Sequence, residues 1–188
     1  MSNTSSLLEK IYEKNPHNGN YIIEVSLTNY VGIFNDWDHA PFKRKDIHPE
    51  LLCFLEDSID DIPMANNIDI CFYLAEETRN EERERIIMSW FKTFYNFYIE
   101  LEKNKIRSII KNAIIYLLIS AALLTSSYLG VTSRNSIIIY TLTEIVIVGG
   151  WVFLWEAISL LTFERSKISK LIKNYKRFTR AEISFRYK

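Results

Sequence analysis

The chain has 188 residues, room for one modest domain and little more, and its 23 Lys and Arg balance 23 Asp and Glu. That balance lacks the basic excess of a nucleic-acid binder, and no nucleic-acid partner is expected. Mean hydropathy is near zero because a charged first hundred residues offset a run from Asn112 to Phe163 that is almost free of charge.

Met1 to Lys14 lacks a basic stretch followed by an apolar core, so no signal peptide is expected. Residues up to Gly19 read as a weak helix and a loop. Tyr21 to Leu27 alternates β-branched and aromatic residues with Glu24 and Ser26, a strand pattern. Asn29 to Lys45 has no period and reads as a long ordered loop. Asp46 to His48 leads into a helix with Pro49 in its first turn, and Leu51, Leu52, Leu55 and Ile59 share one face. Ile62-Pro63 ends that helix. A second strand follows at Ile68 to Leu74, with Ile68, Ile70, Phe72 and Leu74 on one side. Cys53 and Cys71 lack metal-ligand spacing and read as small buried hydrophobes in a reducing compartment.

Ala75 to Ile110 reads as one long amphipathic helix, acidic at its start and basic at its end, as the helix dipole favours. Ile86, Trp90, Phe94, Phe97 and Leu101 recur at helical spacing. They are read as core or as a partner seam, with Trp90, Phe94 and Phe97 the interface candidates. Asn112 to Val131 is long enough to cross a bilayer at about 1.5 Å per residue. A short loop with Arg134 follows, then a second apolar run from Ile137 to Phe163, with its span over about 137–160. Only helices satisfy their own backbone in lipid, so two antiparallel spans are expected. Lys103, Lys105, Arg107 and Lys111 precede the spans and seven basic residues from Arg165 to Arg180 follow them. That bias places both termini in the cytoplasm and the chain in the cytoplasmic membrane.

Glu144 is the costly residue in the second span. It shares a helix face with Trp151 and Trp155, two further interface candidates, while Ser120 and Ser127 share a face of the first span with Tyr116. Antiparallel packing brings the serines near the depth of Glu144, for a hydrogen bond between helices or, on the sharper reading, a proton or ion path. Glu164 to Arg177 forms a basic amphipathic helix suited to anionic inner-leaflet headgroups. Its apolar face is Ile168, Leu171, Ile172 and Tyr175. Ala181 to Tyr187 alternates again, a third strand returning to the N-terminal sheet. The expected fold is an α+β membrane protein: a small cytoplasmic α/β domain of about three strands, joined by a long amphipathic helix to an antiparallel two-helix transmembrane hairpin. Residues 1–110 hold the domain and connecting helix, 111–163 the hairpin, and 164–188 the basic helix and returning strand.

The most distinctive stretch runs from Phe34 to Phe42. Asp36, Asp38 and His39 carry donors suited to a metal; the competing reading has the aspartates capping backbone N–H groups while Phe34, Trp37 and Phe42 anchor the loop to the core. Lys43, Arg44 and Lys45 are a phosphate-binding run or a solvated surface. Glu56, Asp57, Asp60 and Asp61 have no neighbouring nucleophile or His pattern, so they read as a polar helix face. No phosphate loop, dinucleotide fingerprint or nucleophile elbow is present, so no catalytic residue, cofactor or metal is assigned.

Phe34-Asn35, Asp38, Pro41-Phe42, Asp46-Ile47 and Pro49-Glu50 resemble the N-terminal signature of a family of uncharacterised bacterial two-span membrane proteins. Gly150-Trp151-Val152-Phe153-Leu154-Trp155-Glu156 is similar to that family's second-span end, with Glu156-Ala157 in place of an Arg-Pro pair. The resemblance implies the two-span architecture and carries no activity. The expected function is a non-enzymatic, membrane-anchored binding or scaffolding module that oligomerises with itself and engages a cytoplasmic protein or small ligand. The alternative is an oligomeric gated pore lined by Glu144 and the serines. A metal-dependent hydrolase using Asp36, Asp38 and His39 ranks last.

Overall fold

The computed structural model describes residues 8–41, 45–130 and 137–188, with side chains for all of these except 128–130. Three strands, β1 (Tyr21–Ser26), β2 (Ile68–Leu74) and β3 (Ile183–Tyr187), form one parallel sheet in the order β1-β2-β3. The helices are α1 (Pro49–Asp61), α2 (Glu81–Gly130), α3 (Ile137–Ser159) and α4 (Arg165–Arg180). A π-helical turn at Leu160–Glu164 joins α3 to α4. The chain divides into two compact units, residues 1–99 with 173–188, and residues 100–172.

In the first unit, β2 is central and has six of its seven residues buried, as a strand paired on both edges and covered on both faces requires. Its alternation in sequence therefore does not mark a solvent face; even Asp69 is buried. β1 keeps Glu24 and Ser26 exposed. Its outer edge is partly capped by the antiparallel bridge Lys14↔Tyr21. α1 is the crossover between β1 and β2, with Leu51, Leu55 and Ile59 buried. His48 caps it through Nδ1, which accepts from Glu50 N at 3.3 Å, and Pro49 occupies the first turn.

The helix expected from Ala75 starts later. A 3-10 turn covers Glu76–Thr78, and Asn80 accepts from Arg83 N at 3.0 Å, so this asparagine caps α2. From Glu81, α2 runs 50 residues without a break, so connecting helix and first apolar span are one element. Its buried face also differs from the expected stripe. Ile87, Phe91, Tyr95 and Ile99 are buried with Trp90 and Phe94, while Phe97 is 60% exposed. Phe178 from α4 draws the face toward Phe91 and Tyr95, stacking on Tyr95 at 4.6 Å between centroids. Phe97 falls on the rim of that sector.

The second half of α4 differs from a surface helix. Tyr175 and Phe178 are core residues. Arg177 donates to the carbonyls of Ile59, Ile62 and, at 3.4 Å, Pro63, which ties α4 to the end of α1. Its charge serves backbone acceptors here. The cysteines split: Cys71 is buried and Cys53 is exposed.

The second unit holds the apolar segments. Two helical stretches, Glu81–Ser127 and Ile137–Arg180, contain windows long and apolar enough to cross a membrane. Contacts between α2 and α3 are specific. The Tyr116 and Phe153 rings lie 5.8 Å apart, Ser120 Oγ donates to Gly150 O at 2.8 Å, and Leu123 and Leu124 lie against Gly149 and Gly150. A Cβ on Gly150 would stand 2.8 Å from Leu124 Cγ, so only glycine permits this approach.

Candidate functional site

The loop between β1 and α1 is built by short polar caps. Asn29 Oδ1 accepts from Val31 N at 2.9 Å and starts a 3-10 turn at Tyr30–Ile33. Phe34 and Ile47 then pair in an antiparallel bridge, and Asn35 N donates to Asp46 O at 2.9 Å. Asp38 closes the loop, accepting from Ala40 N at 2.8 Å and Asp46 N at 2.7 Å. Those two N–H groups, then the charges of Lys45 and His39, hold its carboxyl below the ordinary carboxylate range. Asp38 is a loop clasp. Asp36 and His39 are exposed beside it. Among the described residues no group of three or more His, Cys, Asp or Glu is close enough to hold a metal ion.

One anchor departs from expectation. Phe34 is fully buried and meets the Trp90 ring at 4.7 Å, but Trp37 is 95% exposed. The turn fixed by Asn35 Oδ1 accepting from Trp37 N at 3.0 Å aims that side chain outward. Trp90 takes over the anchoring, its indole N–H donating to Lys45 O at 2.8 Å. Phe42, Lys43 and Arg44 lie outside the described residues.

Trp90 also lines an open cleft of about 430 Å³ with Glu82, Arg85, Ile86 and Ser89. The cleft and the loop therefore share one residue. Its walls offer an indole, an aliphatic chain, one cation and one carboxylate, a set suited to a peptide segment or a polar small molecule. Sequence reading gave Trp90 an interface role but gave none to Glu82, Arg85 or Ser89, which repeat every three or four residues along the acidic start of α2. A second open hollow, about 340 Å³, lies at the carboxyl end of β1, where Leu27, Gly32, His48 and Phe54 line it.

Two polar clusters are structural. Asp69 accepts from the side-chain amides of Asn15 at 2.7 Å, Asn18 at 2.9 Å and Asn20 at 2.9 Å, and from Glu182 N at 3.4 Å. Burial works against its charge, but these donors outweigh burial and leave the carboxyl below its ordinary value. At the opposite end of the sheet, Tyr30 and Tyr187 both donate to Glu84, and Asn80 N donates to Tyr30 Oη at 3.1 Å. Burial, then the Glu84 and Tyr30 contacts, push the Tyr187 phenol far above its usual range. Neither cluster had a local signal, because the partners lie about fifty or more residues apart.

Of the polar residues named in the apolar helices, Ser120 and Ser127 are buried and Glu144 is exposed. The Ser127 hydroxyl donates to Leu123 O at 2.9 Å within its own helix. The serines and Glu144 thus do not converge on one another. Trp151 and Trp155 are exposed on the Glu144 side of α3. Comparison with family models, curated proteins and solved structures finds no match to this chain.

Proposed function

We propose that this chain is a non-enzymatic, membrane-anchored binding module of the cytoplasmic membrane. Its α2 and α3 form an antiparallel transmembrane hairpin, and its sheet unit lies in the cytoplasm. The observation that carries the reading is the β2–β3 pairing, Ile70↔Ile183 to Leu74↔Tyr187. β2 precedes both apolar helices and β3 follows them, so the two flanks share one compartment, which requires an even number of crossings. Contacts that pair rising residue numbers on α2 with falling ones on α3, Tyr116 with Phe153 and Ser120 with Gly150, fit the antiparallel hairpin. The basic residues at its base, against Arg134 in the loop, support cytoplasmic termini and contact with anionic headgroups.

The bound species is a protein segment. Exposed Trp37 has the chemistry of an interface anchor, and the cleft beside Trp90 supplies Arg85 and Glu82 for polar pairing. Self-association runs through the hairpin, because Trp90 and Phe94, the aromatic residues first suited to a seam, are committed to the core of the sheet unit. A pore lined jointly by Glu144 and the two serines receives no support from their placement on different sides.

The reading is tested with Arg134→Cys and an impermeant maleimide on intact cells. Arg134→Cys is expected to react before lysis and the native, exposed Cys53 only after it. Reaction of Cys53 alone in intact cells would reverse the orientation. Release of the chain by alkaline carbonate would sink the membrane reading. A photo-crosslinking residue in place of Trp37 should then give a discrete adduct with another polypeptide; its absence would dismiss that surface.

A further inference from the structure

α3 turns Gly150 and Ala157 inward. The opposite side carries Thr141, Glu144, Val148, Trp151, Trp155 and Ile158, spaced alternately by three and four residues. All six are exposed, Val148 at 60% and Trp155 at 70%. This is the spacing at which one helix lays a continuous seam against another. Glu144 is its one charged residue.

Among the described residues, nothing satisfies that carboxyl. The hydroxyls nearest it in sequence are turned to their own backbone, Thr141 to Ile137 O at 3.0 Å and Thr143 to Ile139 O at 2.8 Å. Ser120 and Ser127 donate to Gly150 O and Leu123 O. Among the described residues, no hydrogen bond reaches Glu144. Lipid tails supply neither donor nor acceptor, and the seam carries no basic residue. A protonated carboxyl, however, is donor and acceptor at once and therefore complements itself.

We infer that a second copy of this chain covers this face, the two α3 helices packing along the seam with Glu144 meeting Glu144. The inference rests on the membrane-spanning reading. Two copies inserted in one orientation are related by an axis along the membrane normal, so equivalent residues stand at equal depth. That symmetry brings the two carboxyls together without further adjustment, and Val148 and Trp151 meet their counterparts below them. A basic residue of another membrane protein, or lipid alone, is the competing occupant.

The test is disulfide crosslinking of the full chain in native membranes, on a Cys53→Ser background. Val148→Cys lies on the seam. Ile145→Cys is equally exposed, at 62%, but points about 100° away from Glu144. A crosslinked dimer is expected at Val148→Cys and not at Ile145→Cys. Adding Glu144→Gln, which keeps a donor and an acceptor, should preserve the dimer; Glu144→Leu should reduce it about tenfold or more, the effect of one lost intramembrane hydrogen-bonded contact at the strong end. Equal yields at the two cysteines, or no loss with Glu144→Leu, would overturn the inference and leave lipid or another protein on that face. Carbonate extraction of the same samples separates the two failures: chain retained in the membrane without the dimer refutes the seam alone, whereas chain released refutes the anchoring itself.

Discussion

The two compact units treat polar groups differently. In the sheet unit, buried polar side chains are met from far along the chain: Asp69 by three asparagines and Glu182 N–H, and Asn174, which donates to Asp60 at 2.6 Å across more than a hundred residues. In the apolar unit the hydroxyls of Ser126, Ser127, Thr141, Thr143 and Thr162 turn back on their own helix, while Ser120 reaches across to Gly150 O. Long-range pairing makes the sheet unit one cooperative body. Local pairing leaves Glu144, among the described residues, without a hydrogen bond inside the apolar unit.

Removing the aromatic keystone of the sheet unit is the strongest way to break this contrast. Phe178 is fully buried between Phe91 and Tyr95. Phe178→Ala should cost about 3–5 kcal/mol, read as a lower urea midpoint by tryptophan fluorescence in detergent. Retention of the α2–α3 contacts in that variant, checked by a disulfide between Tyr116→Cys and Phe153→Cys, would show that the units respond separately.

Asp69→Ala comes next. It strands three amides and a backbone N–H at once, a loss on the order of 3 kcal/mol. The same carboxylate gives a pH signature. Its folded value lies below the ordinary 3.8, so the stabilisation is complete above that pH and is lost as pH falls through the lower folded value. Asp69→Asn should abolish this component of the acid transition; an unchanged acid limb would show that other carboxylates carry it. Gly150→Leu strikes the other unit. The side chain would collide with Leu124, separate the helices and cost about 1–3 kcal/mol, seen as loss of the Tyr116→Cys to Phe153→Cys disulfide while the urea midpoint of the sheet unit holds.

Elements were legible in the sequence wherever a local period or a length threshold carries the signal. The apolar lengths marked α2 and α3, period two marked the strands, and Pro49 marked α1. What stayed hidden depends on partners distant in sequence. Asn15, Asn18 and Asn20 read as loop composition until Asp69 stands opposite them. The face of α2 shifted because Phe178 and Tyr175 pack from another helix, which left Phe97 on the rim. The start of α2 was legible in principle, since Asn80 followed by Glu81 and Glu82 is a capping pattern, but the acidic run from Glu76 masked it. The loop at Asp36–His39 was visible as a distinctive site, while the outward aim of Trp37 is set by one Asn35 cap that composition does not reveal. Arg85 and Ser89 acquire meaning only from the cleft beside Trp90.

The smallest predicted effect has the opposite sign. Tyr95 is fully buried and its hydroxyl, like Arg177 Nε, has no hydrogen-bond partner among the described residues, a departure from the matched pattern of the sheet unit. Burial pushes that phenol well above its usual range, with the charge of Glu56 adding in the same direction. A buried hydroxyl without a partner is a cost that its ring must outweigh. The ring does so by stacking on Phe178 at 4.6 Å and meeting Phe91 at 4.9 Å. Tyr95→Phe keeps both contacts and removes only the stranded oxygen, so it should raise stability by about 0.5–1 kcal/mol. A fall in the urea midpoint would mean instead that an ordered water occupies the site and ties the hydroxyl to Glu56 or Tyr175.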